Sequence, residues 1–331
     1  MGSMSIRLSC GHARPFALTL GFLLLLSACA APSQEYGTPG LTTPDPLQGG
    51  GPHIYWADPT DDWSYSDPNH ETATIGGANL DGTGMSEAAI TGLESPCGLA
   101  VSGTHLFWAN RRTDAIGRAS LDGSGLDNTF IRSSDKAYPC GVAVDDSYIY
   151  WANHGYGTRG TTIGRARLDG SSADPQFIGG ALNPCGVAVD GDYIYWANEG
   201  ASSTSGGTIG RARLDGSDPD PEFIQTDALL PCGVAVDGSH IYWANSAGGA
   251  IGRARLDGSE VENRFIDEAR WPCGVAVDAG FVYWGNAGEF LGSTGQPAVG
   301  RARLDGTEVD HEWVTGMLGI CGVAVESVTG G

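Results

Sequence analysis

An all-β chain closed into a six-bladed β-propeller is the fold class that the sequence predicts, and three observations predict it. An aromatic-Trp pair recurs at Trp56, Trp108, Trp151, Trp196, Trp243 and Trp284, 41 to 52 residues apart. Six Leu-Asp-Gly turns follow these pairs, with their acids at Asp81, Asp122, Asp169, Asp215, Asp257 and Asp305. Six cysteines, Cys97, Cys140, Cys185, Cys232, Cys273 and Cys321, each precede a glycine and a run of small and branched residues. Strand-type patterning with a period of about 40–50 residues is the signature of propeller blades.

The first part of the chain carries no repeat. Arg7, His12 and Arg14 precede an apolar run from Phe16 to Leu26. That run has the length of a signal-peptide core and falls short of the roughly 20 residues that span a bilayer. Residues 1–28 are therefore expected to be a signal peptide. The run ends in "LSAC", which resembles the lipobox of bacterial lipoproteins. The resemblance implies cleavage before Cys29 and a lipid on its sulfur, hence an extracytoplasmic protein held to the cell envelope through acyl chains. Residues 29–52 are rich in Pro, Gly and Thr, with little to bury, and read as a flexible tether. The propeller is expected over 53–331.

Within a repeat, the strands are read directly. "CGVAVD" alternates as an inner strand, and "YIYWAN" is a second strand rich in aromatic and branched residues. "TIGRARLDG" is a third strand running into an Asp-Gly hairpin, and "PEFI" is a short outer strand. Four antiparallel strands make a blade. The first unit starts at "HIYWAD" without an inner strand, while the chain ends with "CGVAVE" and no second strand after it. The C-terminal strand is thus expected to complete the N-terminal blade, which removes the open edges of a linear array.

Over nearly all of residues 53–326, the pattern "P-x-G-V-A-V-D", "I-Y-W-A-N", "I-G-R-A-R-L-D-G-S" resembles the YWTD repeat of low-density lipoprotein receptors. The resemblance implies six blades. Five blades carry Ala-Asn at the end of the motif and only Ala57-Asp58 keeps the acid, so the receptors' ligand habits are not implied. The "IGR", "DG", "EF" run also resembles virginiamycin B lyase, a likeness that implies an enzyme as the alternative.

Spacing separates the two faces of the disc. Cysteine to the next Trp is always 11 residues, and the Arg of "IGR" to the Asp of "LDG" is always 4. Trp to that Arg is 10, 14, 15, 10 and 17 residues in the second to sixth blades. The variable loops after the second strand open on the side where the inner strand begins, so they are expected to share a face with the cysteines. Diversity in the loops of one face is the mark of a binding surface. With a formal net charge of −21 and one lysine among 18 basic residues, the chain would repel phosphate backbones, which excludes nucleic acid as a natural partner. The reading is an acidic recognition surface on a monomer, for an extracytoplasmic protein, glycan or small molecule, touching the membrane only through its anchor. No cofactor is implied. A metal-dependent lyase or hydrolase is the alternative, and soft-metal capture by the cysteines the third.

Candidate residues follow from that face. The cysteines allow three readings: small wall residues, disulfides between adjacent blades where Cα atoms approach within about 7 Å, or a soft-metal site. Asn110, Asn153, Asn198, Asn245 and Asn286, with Asp58 in the sixth place, end the second strands and are candidates for holding loops or a ligand. Asp58, Asp61, Asp62 and Asp67 lie with His70 and Glu71 in the acidic first-blade loop, where carboxylates could hold calcium. His154 and His70 are the acid–base candidates of the lyase reading. Strand arginines such as Arg165 are expected to pair with Asp145 and Asp190 between blades. No G-x-S-x-G, phosphate-binding glycine loop or H-E-x-x-H is present.

Overall fold

A computed structural model describes residues 52–59, 73–133, 137–155, 160–200, 206–227, 230–288 and 295–326. The expected signal segment, Cys29, the tether, and the acidic-loop residues Asp61, Asp62, Asp67, His70 and Glu71 lie outside the described residues. What is described forms six antiparallel sheets of four strands each. Among the described residues no helix is long and apolar enough to cross a membrane.

The fourth blade shows the plan. Pro184–Val189 is its inner strand, followed outwards by Tyr193–Asn198, Thr208–Arg213 and Asp220–Gln225. Trp196 stands opposite Gly210 across the middle pair, and the indole lies where a side chain at 210 would be, with any Cβ there closer than 3.0 Å. The same Trp-on-Gly pairing recurs in all six blades, and all six indoles are fully buried. That explains the glycine in each "IGR" motif: it is the floor on which the Trp rests.

Trp also joins one blade to the next. Tyr195, Ala197, Ile209 and Ile224 of the fourth blade pack with Ile241, Trp243 and Ala254 of the fifth, and the other five interfaces repeat the arrangement. Each buried aromatic removes about 150–250 Å² from water, so the core is six equal interfaces in a ring. Towards the rim, the arginine after each Trp-bearing glycine stacks on an outer-strand ring in the second to sixth blades, and three of these arginines also reach the next blade. Arg165 lies 3.6 Å from the Phe177 centroid and donates to the Leu214 carbonyl at 3.0 Å. Arg211 and Arg253 do the same to Leu256 and Leu304. The expected pairing of Arg165 with Asp145 or Asp190 is not what forms. Those aspartates accept backbone N–H groups of their own turns and the hydroxyls of Tyr150 and Tyr195. The tyrosine hydroxyl of the neighbouring strand reaches the carboxylate first, leaving the guanidinium to the aromatic face and the carbonyl.

Closure follows the order of parts in the sequence. Val323–Val325 pairs with His53–Asp58 to complete the first blade. Three ladder residues are few, and further bonds extend the clasp. Cys321 N–H donates to Ala57 O, Ala57 N–H to Gly322 O and Glu326 N–H to His53 O, at 2.9 to 3.0 Å. Glu326 takes the place of the "VAVD" aspartate and accepts the Tyr55 hydroxyl at 2.8 Å.

Two outcomes are expected on denaturant unfolding. Removing residues 319–331 takes away the strand, the glutamate clasp and Cys321, and should cost more than the roughly 2–5 kcal/mol of a lost disulfide; Glu326→Ala alone should cost about 1–3 kcal/mol. A truncated chain as stable as the parent would contradict closure by this strand.

Candidate functional site at the channel mouth

The site is built from an irregularity in the inner strands. In the second to sixth blades the register between the first two strands slips by one residue at Cys-Gly, as between Pro184 and Val187. Such a bulge bends the strand and re-aims a side chain; here it turns the cysteine to the axis. The glycine makes this possible at close quarters. A Cβ on Gly98 would stand 2.5 Å from the Cys140 carbonyl oxygen, and one on Gly141 equally close to that of Cys185. Gly186 meets Cys232 O, Gly233 meets Cys273 O, Gly274 meets Val323 N and Gly322 meets Cys97 O in the same manner. Backbone therefore touches backbone all the way round.

This narrowness decides among the readings of the cysteines. Cα atoms of adjacent cysteines come to 5.1 Å, and Cys97–Cys321 and Cys185–Cys232 are joined as disulfides. Cys140 and Cys273 remain thiols on opposite sides of the ring. Burial pushes the Cys140 thiol up in pKa against the pull of Arg111, and burial, reinforced by the charge of Cys140, pushes that of Cys273 up to about 12. Both are protonated at neutral pH.

Strand pairing puts the variable loops on the cysteine side, since each inner-strand proline pairs with the Asn that ends the second strand, as Pro184 does with Asn198. The Asn ring itself is buried and fastens loops. Asn198 accepts Leu182 N–H and donates to Thr208 Oγ1 and the Pro221 carbonyl at 2.8 to 3.0 Å. Asn286 accepts Arg270 N–H and the Trp284 indole N–H and donates to the His311 carbonyl. Asn110, Asn153 and Asn245 donate likewise to carbonyls of Asn128, Pro175 and Asn263. Asp58 accepts Gly319 N–H at 3.0 Å, so the residue proposed for calcium holds the closing loop.

The next residue in each blade is the informative one. After Asp58 and the five Asn come Pro59, Arg111, His154, Glu199, Ser246 and Ala287, six different residues at one equivalent position. Arg, His and Glu stand on three consecutive blades, so one half of the mouth is ionic and the other small. His154 Nε2 lies 3.0 Å from Glu199 Oε2, and Asn183 Nδ2 donates to the same oxygen at 3.0 Å. His154 and Glu199 are each about one-fifth exposed, at 22% and 21%. Arg111 turns inward and donates to Cys140 Sγ at 2.9 Å. Burial opposes its charge, but the charge and hydrogen bond of the Cys140 sulfur, with smaller pulls from Cys273 and Tyr138, hold its pKa above even the ordinary value. Sequence reasoning singled out His154 and passed over Arg111, Asn183 and Glu199. Aligning the repeats on Asn and reading one position further would have found two of them.

The acidity expected of this face belongs, among the described residues, mainly to the opposite one. There the six "LDG" aspartates cap their own turns, as Asp215 accepts Ser217 N–H and Oγ–H at 2.9 and 2.6 Å. These hydrogen bonds hold their carboxyls below the usual pKa range. On the loop face Arg111, Arg112 and Arg270 stand among Glu94, Glu199, Asp267 and Glu268.

Residues 239–279, from the second strand of the fifth blade to the inner strand of the sixth, match the family model of the low-density lipoprotein receptor repeat class B. No curated protein matches the chain. Among solved structures, a chain of the nidogen/laminin complex is similar at 19% identity and a TM-score of 0.63, over 83% of this chain and 98% of that one. A streptogramin B lyase is similar at 16% identity and 0.52, over 86% and 89%. Virginiamycin B lyase from Staphylococcus aureus stands at 19% and 0.49, over 82% and 85%. At these identities the likeness is one of fold.

The thiols carry a testable consequence. Alkylation of the native protein at neutral pH should be slow at Cys140 and Cys273, and a non-reducing peptide map should return Cys97–Cys321 and Cys185–Cys232. Stability should follow the sign of the shift. In the unfolded chain Cys273 ionises near about 8.5, in the folded chain near 12, so its contribution is intact below the first value and lost as pH rises towards the second.

Proposed function

We propose that the protein is an envelope-anchored recognition module, held by acyl chains on Cys29, that binds its ligand over the ionic half of the channel mouth. The observation that carries this reading is the set of six different residues at one equivalent position. Repeats that copy Trp, Gly and Cys faithfully differ at the position that follows the second strand at the channel mouth. Arg111, His154 and Glu199 offer donors and an acceptor on adjacent blades, which suits a polar ligand carrying both kinds of group. A protein, a glycan or a small molecule can each present these. The nidogen chain in complex with laminin is a propeller in an assembly with a protein, which supports a protein partner.

The second reading, a lyase or hydrolase, is favoured by the bonded pair His154–Glu199, a geometry in which the carboxylate orients the imidazole for proton transfer. His154 and Glu199 give two donors to a metal; among the described residues three converging ligating atoms come together only at Cys140, Cys185 and Cys232. The metal-dependent form of this reading therefore has no donor set among those residues, and a proton-transfer pair without a metal is what they support.

Photo-crosslinking from both faces tests recognition. A benzophenone side chain at Arg112, exposed on the loop face, should capture a discrete envelope component, and one at Asp192, exposed on the opposite face, should not. Arg111→Ala with Glu199→Ala should abolish the first product. Equal labelling from both faces would overturn the assignment of the binding face.

A further inference from the structure

The six repeat cysteines form a closed ring of sulfur. Cys97 Sγ lies 3.5 Å from Cys140, Cys140 2.8 Å from Cys185, Cys232 3.8 Å from Cys273 and Cys273 3.7 Å from Cys321. The two disulfides close the remaining gaps. The Sγ atoms of Cys140, Cys185 and Cys232 all fall within 4.8 Å of one another, a spread that a single ion can bridge. Structural cross-linking explains four sulfurs and leaves two. Nor does it explain Arg111, which sends a guanidinium towards the ring, bonds a sulfur, and keeps its Nε buried without a hydrogen-bond partner.

We propose that the ring, once its Cys185–Cys232 disulfide is reduced, is a binding site for Cu(I), held by Cys140, Cys185 and Cys232. This site shares Arg111 with the ligand reading of the rim but does not depend on that reading. An all-sulfur donor set selects soft ions such as Cu(I), zinc or iron–sulfur clusters. Zinc asks for four ligands in a tetrahedron. Equivalent positions on successive blades surround a point from the side and supply no fourth sulfur above or below it, which suits an ion of low coordination number. Three thiolates around one monovalent cation leave a net charge of minus two, and the Arg111 guanidinium offsets part of it. Electrons and protons balance simply. A dithiol gives two electrons and two protons to break Cys185–Cys232 into two thiols; a phosphine gives the two electrons and ends as its oxide, taking the oxygen from a water molecule whose two protons go to the sulfurs. Three thiols then release three protons as three sulfur–copper bonds form, and copper keeps its oxidation state. The oxidised ring lacks two of the three donors, so binding is confined to the reduced protein.

The test uses the intact protein with Cys10 and Cys29 replaced by serine, so that the thiols counted are those of the ring. It is reduced anaerobically with a phosphine, freed of it, and titrated with Cu(I) against a chromogenic Cu(I) chelator. The expected result is one Cu(I) per chain with a thiolate-to-copper charge-transfer band, bound about 100-fold or more tightly than by the oxidised protein. Arg111→Met should weaken binding about 10- to 100-fold, the usual effect of losing a group behind the ligands. Cys140→Ser should abolish the band, with near-ultraviolet circular dichroism confirming that each variant is folded. Six free thiols that take up no copper beyond the Cys140→Ser level would overturn the proposal. So would equal uptake by the oxidised form, tighter binding of zinc than of Cu(I), or a ring that can be reduced only by unfolding the protein.

Discussion

The structure depends on the close approach of one inner strand to the next at the glycine after each repeat cysteine. There the backbone of one blade meets a carbonyl or an N–H of its neighbour with no room for a Cβ. That contact sets the radius of the channel. With the radius fixed, adjacent cysteine Cα atoms can fall to 5.1 Å, and the sulfurs have nowhere to go but into contact with each other. Five bulges at Cys-Gly, in the second to sixth blades, are the local cost of this arrangement, because the strand must kink to let glycine face its neighbour while cysteine faces the axis.

From the axis outwards, a different contact takes over at each radius. Glycine against backbone holds the centre, Trp resting on the "IGR" glycine holds the middle, and arginine between an aromatic ring and the next blade's carbonyl holds the rim. The first two use residues that all six repeats share, and the third a residue shared by five of them. The residues that the repeats do not share are left for the mouth of the channel, where Arg111, His154 and Glu199 follow one another on three blades. The proposed ligand surface and the scaffold thus fall on different positions of the same motif.

Much of this was legible in the sequence because repetition exposes it. The blade strands, the closure by "CGVAVE" and the shared face of cysteines and variable loops all follow from spacing alone. Two things were not legible. The state of the cysteines turns on a channel radius that is set by glycine-to-carbonyl contacts between strands some 45 residues apart, as Cys140 and Cys185 are, and no local pattern encodes it. The expected pairing of Arg165 with Asp145 failed because both lie near a tyrosine hydroxyl whose position depends on strand register, and hydroxyl and aromatic face each claimed one of the two charges. Arg111 can be found by aligning the repeats, but its bond to Cys140 cannot, because that cysteine belongs to the following blade.

The most direct test of this account is a sulfur anomalous-difference map from crystals of the protein grown without reductant. The account requires six sulfur peaks in one closed hexagon on the propeller axis, each within about 4 Å of both neighbours, the reach of a sulfur contact. Sulfurs standing apart around a wide, solvent-filled channel would contradict it, since the glycine contacts could not then be what sets the radius.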